Sequence, residues 1–403
     1  MIEKRNDWQE RLSPRVNAIA PSGIRKFFDI AAQMEDVISL GVGEPDFVTP
    51  WSIRESCVYG LEQGYTSYTA NRGLPELREE IAKHYQQEYD CSYDADTDIL
   101  VTVGVSEALD LVMRAILAPG DEVLIPEPCY VSYLACTILA GGKPVAVPAK
   151  IEIEFRITPD ELEEHVTPKT KVLLIGYPNN PTGAIMTRKD LLAIAAFAEK
   201  HDLIVISDEI YGDLTYGGEK HVCFSSLPGM QERTILLNGF SKAYAMTGWR
   251  IGYTASPLHV AKAMTNFQSH STSHPNFIAR WAALAALSGP DDQLKNMVAE
   301  FDRRRRRMVE LINGIPGLSC KPPKGAFYVM MNISGLIGKK LDGVPVTGSM
   351  SFTELLLESQ QVAVVPGVGF GADRYVRLSY ATNMENIEKG LARIREFAAS
   401  LQD

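Results

Sequence analysis

Apolar positions along this chain switch between two periods, and the switching predicts its elements. "PELREEIAKHYQQEY" (75–89) opens on proline and repeats apolar residues at helical spacing. A short β-rich run, "DILVTVG", follows; "SEALDLVMRAILAPG" is then a helix with Ser106 at its start and Pro-Gly as its stop. "DEVLIPEP", "KPVAV", "KVLLIGYP", "LIVISDEIY", "TILLNGFSK" and "RIGYTAS" read as strands, with helices at "VSYLACTILAGG" and "RKDLLAIAAFAEKHD" between them. Near-continuous apolar strands separated by helices predict a mostly parallel sheet covered on both faces, an α/β unit over 49–290. After "SGPDD" the pattern changes. A long charged helix at about 291–313, "GAFYVMMNIS", a helix near "SFTELLLESQ", "VAVVPG", "YVRLSY" and a final helix make a smaller α+β unit. Residues 1–48 are too few for a core of their own, so they are expected to join 291–403 in this second unit.

The 403 residues carry 40 Lys and Arg against 50 Asp and Glu, a net charge of −10. That balance argues against a nucleic acid or an anionic membrane as partner. The one basic run, "DRRRRRM" (302–308), has acids upstream in a helical segment and is expected to be a solvated helix face. Six scattered cysteines form no CxxC pair, which reads as reduced thiols in the cytoplasm. The amino terminus lacks the apolar stretch of a signal peptide, and no run approaches the roughly 18 apolar residues of a membrane span.

In such sheets ligands sit at the carboxyl ends of strands. There the chain places its chemistry. After "ILVTV" come Gly104, Val105 and Ser106, opening a helix whose free N–H groups suit phosphate. After "KVLLIGYP" comes "NNPTG", a fixed turn in which Asn180 can donate and accept. "LIVIS" leads into Asp208, with Tyr211 expected one helical turn on. "TILLNGF" leads into Ser241 and Lys242, with Arg250 eight positions later. A lysine can form a Schiff base, an arginine and a helix start can hold a phosphate, and a carboxylate can hold a proton on a pyridine nitrogen. Pyridoxal phosphate carries aldehyde, phosphate and pyridine nitrogen together.

The motifs "SLGVGEPDF", "YTANRGLPELR", "PNNPTGA", "SDEIY", "SKAYAMTGWRIGY", "KGAFY" and "VRLSYAT", in this order, span nearly the whole chain. With them the chain resembles the class I/II pyridoxal-phosphate-dependent aminotransferases of fold type I, in particular their prokaryotic aspartate-aminotransferase-like branch. The resemblance implies a homodimer with shared active sites that moves the amino group of an L-amino acid to a 2-oxo acid. It implies that Lys242 carries pyridoxal 5'-phosphate and then serves as general base. Asp208 would pair with the pyridine nitrogen, and Tyr211 and Asn180 with the ring's phenolic oxygen. Val105, Ser106 and Arg250 would hold the phosphate, joined by Tyr68 of the other subunit, and Tyr130 would stack on the ring. Arg377, Asn180 and Gly43 would meet the substrate's α-carboxylate. Two positions depart from the pattern. Gly239 stands where the family often has a phosphate-binding serine, which leaves Ser241 as a substitute ligand, and Tyr130 stands where many aspartate-specific relatives have tryptophan.

Two other functions fit parts of this picture. A carbon–sulfur β-lyase of the same fold would keep the same lysine, aspartate and arginines. A non-catalytic regulator on this fold would carry a DNA-binding segment or lose the lysine; the chain shows neither feature. His270 and His274 have no carboxylate or cysteine at ligand spacing, so no metal is expected. Arg25, in "PSGIRKFF", is a candidate to meet the donor's side chain. Which amino acid is the donor does not follow from these residues.

Overall fold

The structure, a computed structural model, describes residues 11–19, 34 and 36–403. Arg25 lies outside the described residues. The first described strand, β1 (Ile38–Ser39), stands apart from the main sheet. Seven strands build that sheet: β2 (Ile99–Thr102), β3 (Glu122–Glu127), β4 (Lys143–Pro148), β5 (Thr170–Gly176), β6 (Ile204–Asp208), β7 (Thr234–Gly239) and β8 (Gly252–Ala255). Their spatial order is β2-β8-β7-β6-β5-β3-β4.

All neighbours are parallel except at β8, which runs antiparallel to both β2 and β7. The connection explains it. A parallel return needs a crossover of a dozen or more residues, usually a helix. Between Gly239 and Gly252 the chain has only the 3-10 turn Thr247–Trp249, so it doubles back beside β7. That doubling-back loop contains Lys242 and Arg250.

Helices form where the spacing predicts them. Pro75–Tyr89 starts on its proline and stops at Asp90, which takes the left-handed conformation. Arg188–Lys200 begins with a reciprocal capping box between Thr187 and Asp190. Tyr211 departs from expectation: no helix follows β6, and the residue sits in a turn. The reason is local, because the Asp208 carboxylate accepts the Ile210 N–H at 3.2 Å and folds the backbone tightly.

Beyond residue 291 the strands β9 (Tyr328–Asn332), β13 (Val365–Pro366) and β14 (Tyr375–Ser379) form an antiparallel sheet in the order β13-β14-β9. A hairpin joins β10 (Lys340–Leu341) to β11 (Val344–Pro345). β1 pairs in parallel with β12 (Val362–Ala363), and Leu40 enters the apolar cluster of Phe301, Phe327, Leu356 and Phe397.

The arginine run is only in part the solvated face its composition predicts: Arg303 and Arg306 are exposed beside Glu300 and Asp302, but the run also turns inward. Five consecutive residues sweep more than one helical turn, so some must face inward. Arg304 is buried in helix Asp292–Asn313, paired with Asp46 and Glu300 at 2.8 Å each, its guanidinium 5.1 Å from the Phe47 ring. Arg305 covers Tyr216 and pairs with Asp302. Among the described residues, no helix is long and apolar enough to cross a membrane.

Candidate active site

The carboxyl ends of β5, β6 and β7 and the start of helix Gly104–Ile116 surround a cavity of about 330 Å³. Gly43, Val105, Ser106, Tyr130, Asn180, Asp208, Tyr211, Ser241, Lys242, Arg250 and Arg377 all line it. Residues spread over more than 330 positions of sequence thus meet at one place. Tyr68 is the exception. It is 92% exposed, with its ring edge-on to His274, and it is absent from the cavity wall.

Lys242 points its amine at the Gly43 carbonyl, 2.7 Å away. Burial lowers its pKa to about 8; the neighbouring cations Arg377 and Arg250 push the same way, against Glu44 and Asp208. Asp208 is buried at the end of β6. Burial pushes its carboxyl up to about 6, while hydrogen bonds from Tyr133 and from the Ile210 N–H oppose the rise. The Tyr211 hydroxyl lies 2.9 Å from that of Tyr328.

At the other end, Gly104 has a φ of +70°, and a Cβ there would come 2.7 Å from Arg250 Nη2. Glycine therefore lets the guanidinium lie against the helix start, where first-turn N–H groups lack intrahelical partners. Arg250 is itself left-handed, at φ 54°, and donates to the Thr247 carbonyl at 2.9 Å. Gly252 packs equally closely, since its Cβ would sit 2.8 Å from Val105 N.

Arg377, on β14, donates from Nη1 to Asn180 Oδ1 at 2.9 Å and from Nη2 to the Gly41 carbonyl at 2.8 Å. Its guanidinium lies between rings, 4.4 Å from Tyr328 and 5.2 Å from Phe370. Nε is buried without a partner, and among the described residues no carboxylate pairs with this side chain. A buried guanidinium with Nε unpartnered and no carboxylate beside it is chemically suited to an anion.

Three wall residues carry no strand-end signal. Tyr133 donates to Asp208 Oδ2 at 2.8 Å, and Tyr328 and Phe370 bracket Arg377. Tyr328 falls inside the "KGAFY" motif, and Tyr133 is the second residue of helix Ser132–Ala140.

Comparison with known proteins gives the family. The family described as aminotransferase class I and II matches residues 35–394. The chain is 46% identical to an aspartate aminotransferase of Pyrococcus abyssi, over 96% of this chain and 97% of that protein. It is 44% identical to aromatic-amino-acid aminotransferase 2 of Thermococcus litoralis, with the same coverage of 96% and 97%. Among solved structures it superposes on the aspartate aminotransferase of Rhizobium meliloti with a TM-score of 0.94 at 38% identity, covering 97% of this chain and 99% of that one. Fold, family match and relatives agree: the chain belongs to the class I and II aminotransferases, and it is an aminotransferase of fold type I.

Proposed function

We propose that this aminotransferase works at the cavity around Lys242 with pyridoxal 5'-phosphate as its cofactor, taking the amino group from an L-amino acid. The observation that carries the reading is Arg377: a buried guanidinium with Nε unpartnered and no carboxylate partner among the described residues, in the same cavity as the Lys242 amine. The cofactor fits the donor set. Gly104 leaves Arg250 and the helix start open to a phosphate, and Asp208 offers an acceptor in the same cavity. Pyridoxal phosphate, when bound, supplies an aldehyde for amines and a ring that delocalises the electrons of a broken Cα–H bond.

The chain's own residues do the rest. Val105, Ser106, Ser241 and Arg250 bind the phosphate, and Tyr130 covers one ring face. Asp208 holds a proton on the ring nitrogen, where an anion favours the charged form. Tyr211 and Asn180 hydrogen-bond the phenolic oxygen. Arg377, with Asn180 and Gly43, grips the α-carboxylate and so aims the Cα–H bond at Lys242. The lysine amine, already lowered to about 8, would serve as the base for that proton.

A second copy of the chain completes the assembly. Val48, Trp51, Val58, Tyr59 and Leu61 are all exposed along one stretch, with Trp51 at 56% and Val48 at 70%. Such an apolar patch supports burial in a homodimer, which would carry Tyr68 to the partner's phosphate site. The division into 49–290 and 1–48 with 291–403 is supported by two apolar clusters that lie wholly within 49–290 and by one drawn mostly from 291–403, which Leu40 joins and which also takes in Tyr211, Leu214 and Tyr216. The low count of paired thiols, with all six cysteines free, suits a cytoplasmic setting.

The test is a panel of L-amino acids against 2-oxoglutarate and pyruvate with added pyridoxal phosphate. The expected result is one new amino acid formed per donor consumed, and borohydride trapping on the peptide that contains Lys242. Ammonia and pyruvate in place of a new amino acid, or trapping on another lysine, overturns the reading.

A further inference from the structure

We propose that Tyr133 is a positioning residue for amino-group transfer, its hydroxyl holding Asp208 as an anion aimed at the cofactor's ring nitrogen. The proposal rests on the role of Asp208 given above. Tyr133 is buried near the start of helix Ser132–Ala140 and donates to Asp208 Oδ2 at 2.8 Å. The other oxygen, Oδ1, accepts the Ile210 N–H at 3.2 Å. A carboxylate has about four lone-pair sites, so two fixed donors orient it and leave capacity for a third.

The slot for this hydroxyl is built into the sheet. Gly176 on β5 is the register partner of Asp208 on β6, and a Cβ at Gly176 would run into the Tyr133 hydroxyl. The Tyr133 ring also stands edge-on to Tyr130, 5.7 Å between centroids, so one residue touches both the ring-covering tyrosine and the carboxylate.

The electrostatics agree. Burial drives Asp208 up, the Tyr133 and Ile210 bonds draw it down, Glu209 raises it and Lys242 lowers it. Burial holds the Tyr133 phenol well above its ordinary range, as it does Tyr211 and Cys129 nearby, so Tyr133 stays a neutral donor. Without the hydroxyl, the carboxylate becomes more basic. Asp208 would then keep for itself the proton it would otherwise hold on the ring nitrogen, which would be left neutral.

The experiment uses the enzyme loaded with pyridoxal phosphate and reads the pH midpoint of its visible absorbance beside kcat and KM. Tyr133→Phe is expected to raise the midpoint by about one pH unit and lower kcat about tenfold, with KM nearly unchanged. In an Asp208→Asn background the same substitution is expected to add nothing, because Tyr133 acts through that carboxylate. An unmoved midpoint, or an equal shift in the Asp208→Asn background, overturns the proposal. Should Tyr133→Phe fail to fold, 3-fluorotyrosine at position 133 keeps the ring and donates more strongly. The midpoint is then expected to fall, and an unmoved one overturns the proposal equally. Failure of the underlying reading looks different: Asp208→Asn alone would leave the midpoint unchanged.

Discussion

In the role proposed for it, Lys242 meets two demands that pull against each other. It must be neutral to attack an aldehyde, yet an ordinary lysine is almost wholly protonated near neutral pH. Burial resolves this by lowering the amine to about 8, assisted by Arg377 and Arg250. The sign is direct: below that value the folded protein holds the amine protonated, and above it the nucleophile is free. The rate at which cofactor-free protein captures pyridoxal phosphate should therefore climb about tenfold per pH unit up to about 8 and level off above. Absorbance-monitored mixing between pH 6 and 10 checks it, and a flat profile would contradict the assignment. Lys242, Asp208 and Ser241 could be read from the chain because each directly follows an apolar strand, where parallel sheets put their ligands. Tyr133 and Phe370 could not. Their importance lies in contacts with Asp208 and Arg377, 75 positions away in one case, and nothing in their own neighbourhood marks it.

At the level of elements, the loop between β7 and β8 decides the site. Because β8 returns antiparallel, Gly239 and Gly252 face each other across the ladder. A Cβ on Gly239 would lie 2.8 Å from Gly252 Cα and 3.0 Å from the Ile251 carbonyl. The glycine that departs from the family's serine is thus tied to close backbone packing. Restoring the serine should not strengthen cofactor binding. Gly239→Ser is expected to destabilise the protein by about 1–3 kcal/mol, as overpacking does, and to weaken pyridoxal phosphate affinity. Urea unfolding and a fluorescence titration would read the two effects, and tighter binding at unchanged stability would refute the argument. The strands and long helices were readable in the periodicity, whereas the reversed direction of β8 was not. Direction depends on what the connection lacks, here a crossover helix, and an apolar run reads the same both ways. The inward turn of Arg304 was hidden for a similar reason: composition reports charge, and only the partners Asp46, Glu300 and Phe47 explain its burial.

The whole molecule, in the proposed homodimer, has two sites that each borrow a tyrosine. Tyr68 stands exposed and away from its own chain's cavity. If it serves the partner, two defective chains can repair one another. Lys242→Ala lacks the nucleophile but offers an intact Tyr68, and Tyr68→Ala keeps the nucleophile. Dissociating and remixing the two variants at limiting pyridoxal phosphate should restore activity well above that of either alone, because one of the two sites in each hybrid is intact. No gain on mixing, with hybrid formation verified by a size tag, would assign Tyr68 to its own chain. The family resemblance is what suggests this pairing; the apolar stretch of Val48, Trp51, Tyr59 and Leu61 supports it physically, and its exposure appears only in three dimensions.

Arg377 has a meaning beyond recognition. The free protein folds around a guanidinium that has two aromatic rings, one amide oxygen and one carbonyl for company, and no anion among the described residues. In the role proposed for Arg377, a carboxylate that docked there would supply the missing countercharge and bind only the folded form, and so would raise stability by mass action. The abundance of substrate in a cell would then bear on how long each enzyme molecule survives. Chains short of amino acid would unfold more often and fall to proteases sooner, and well-supplied chains would persist.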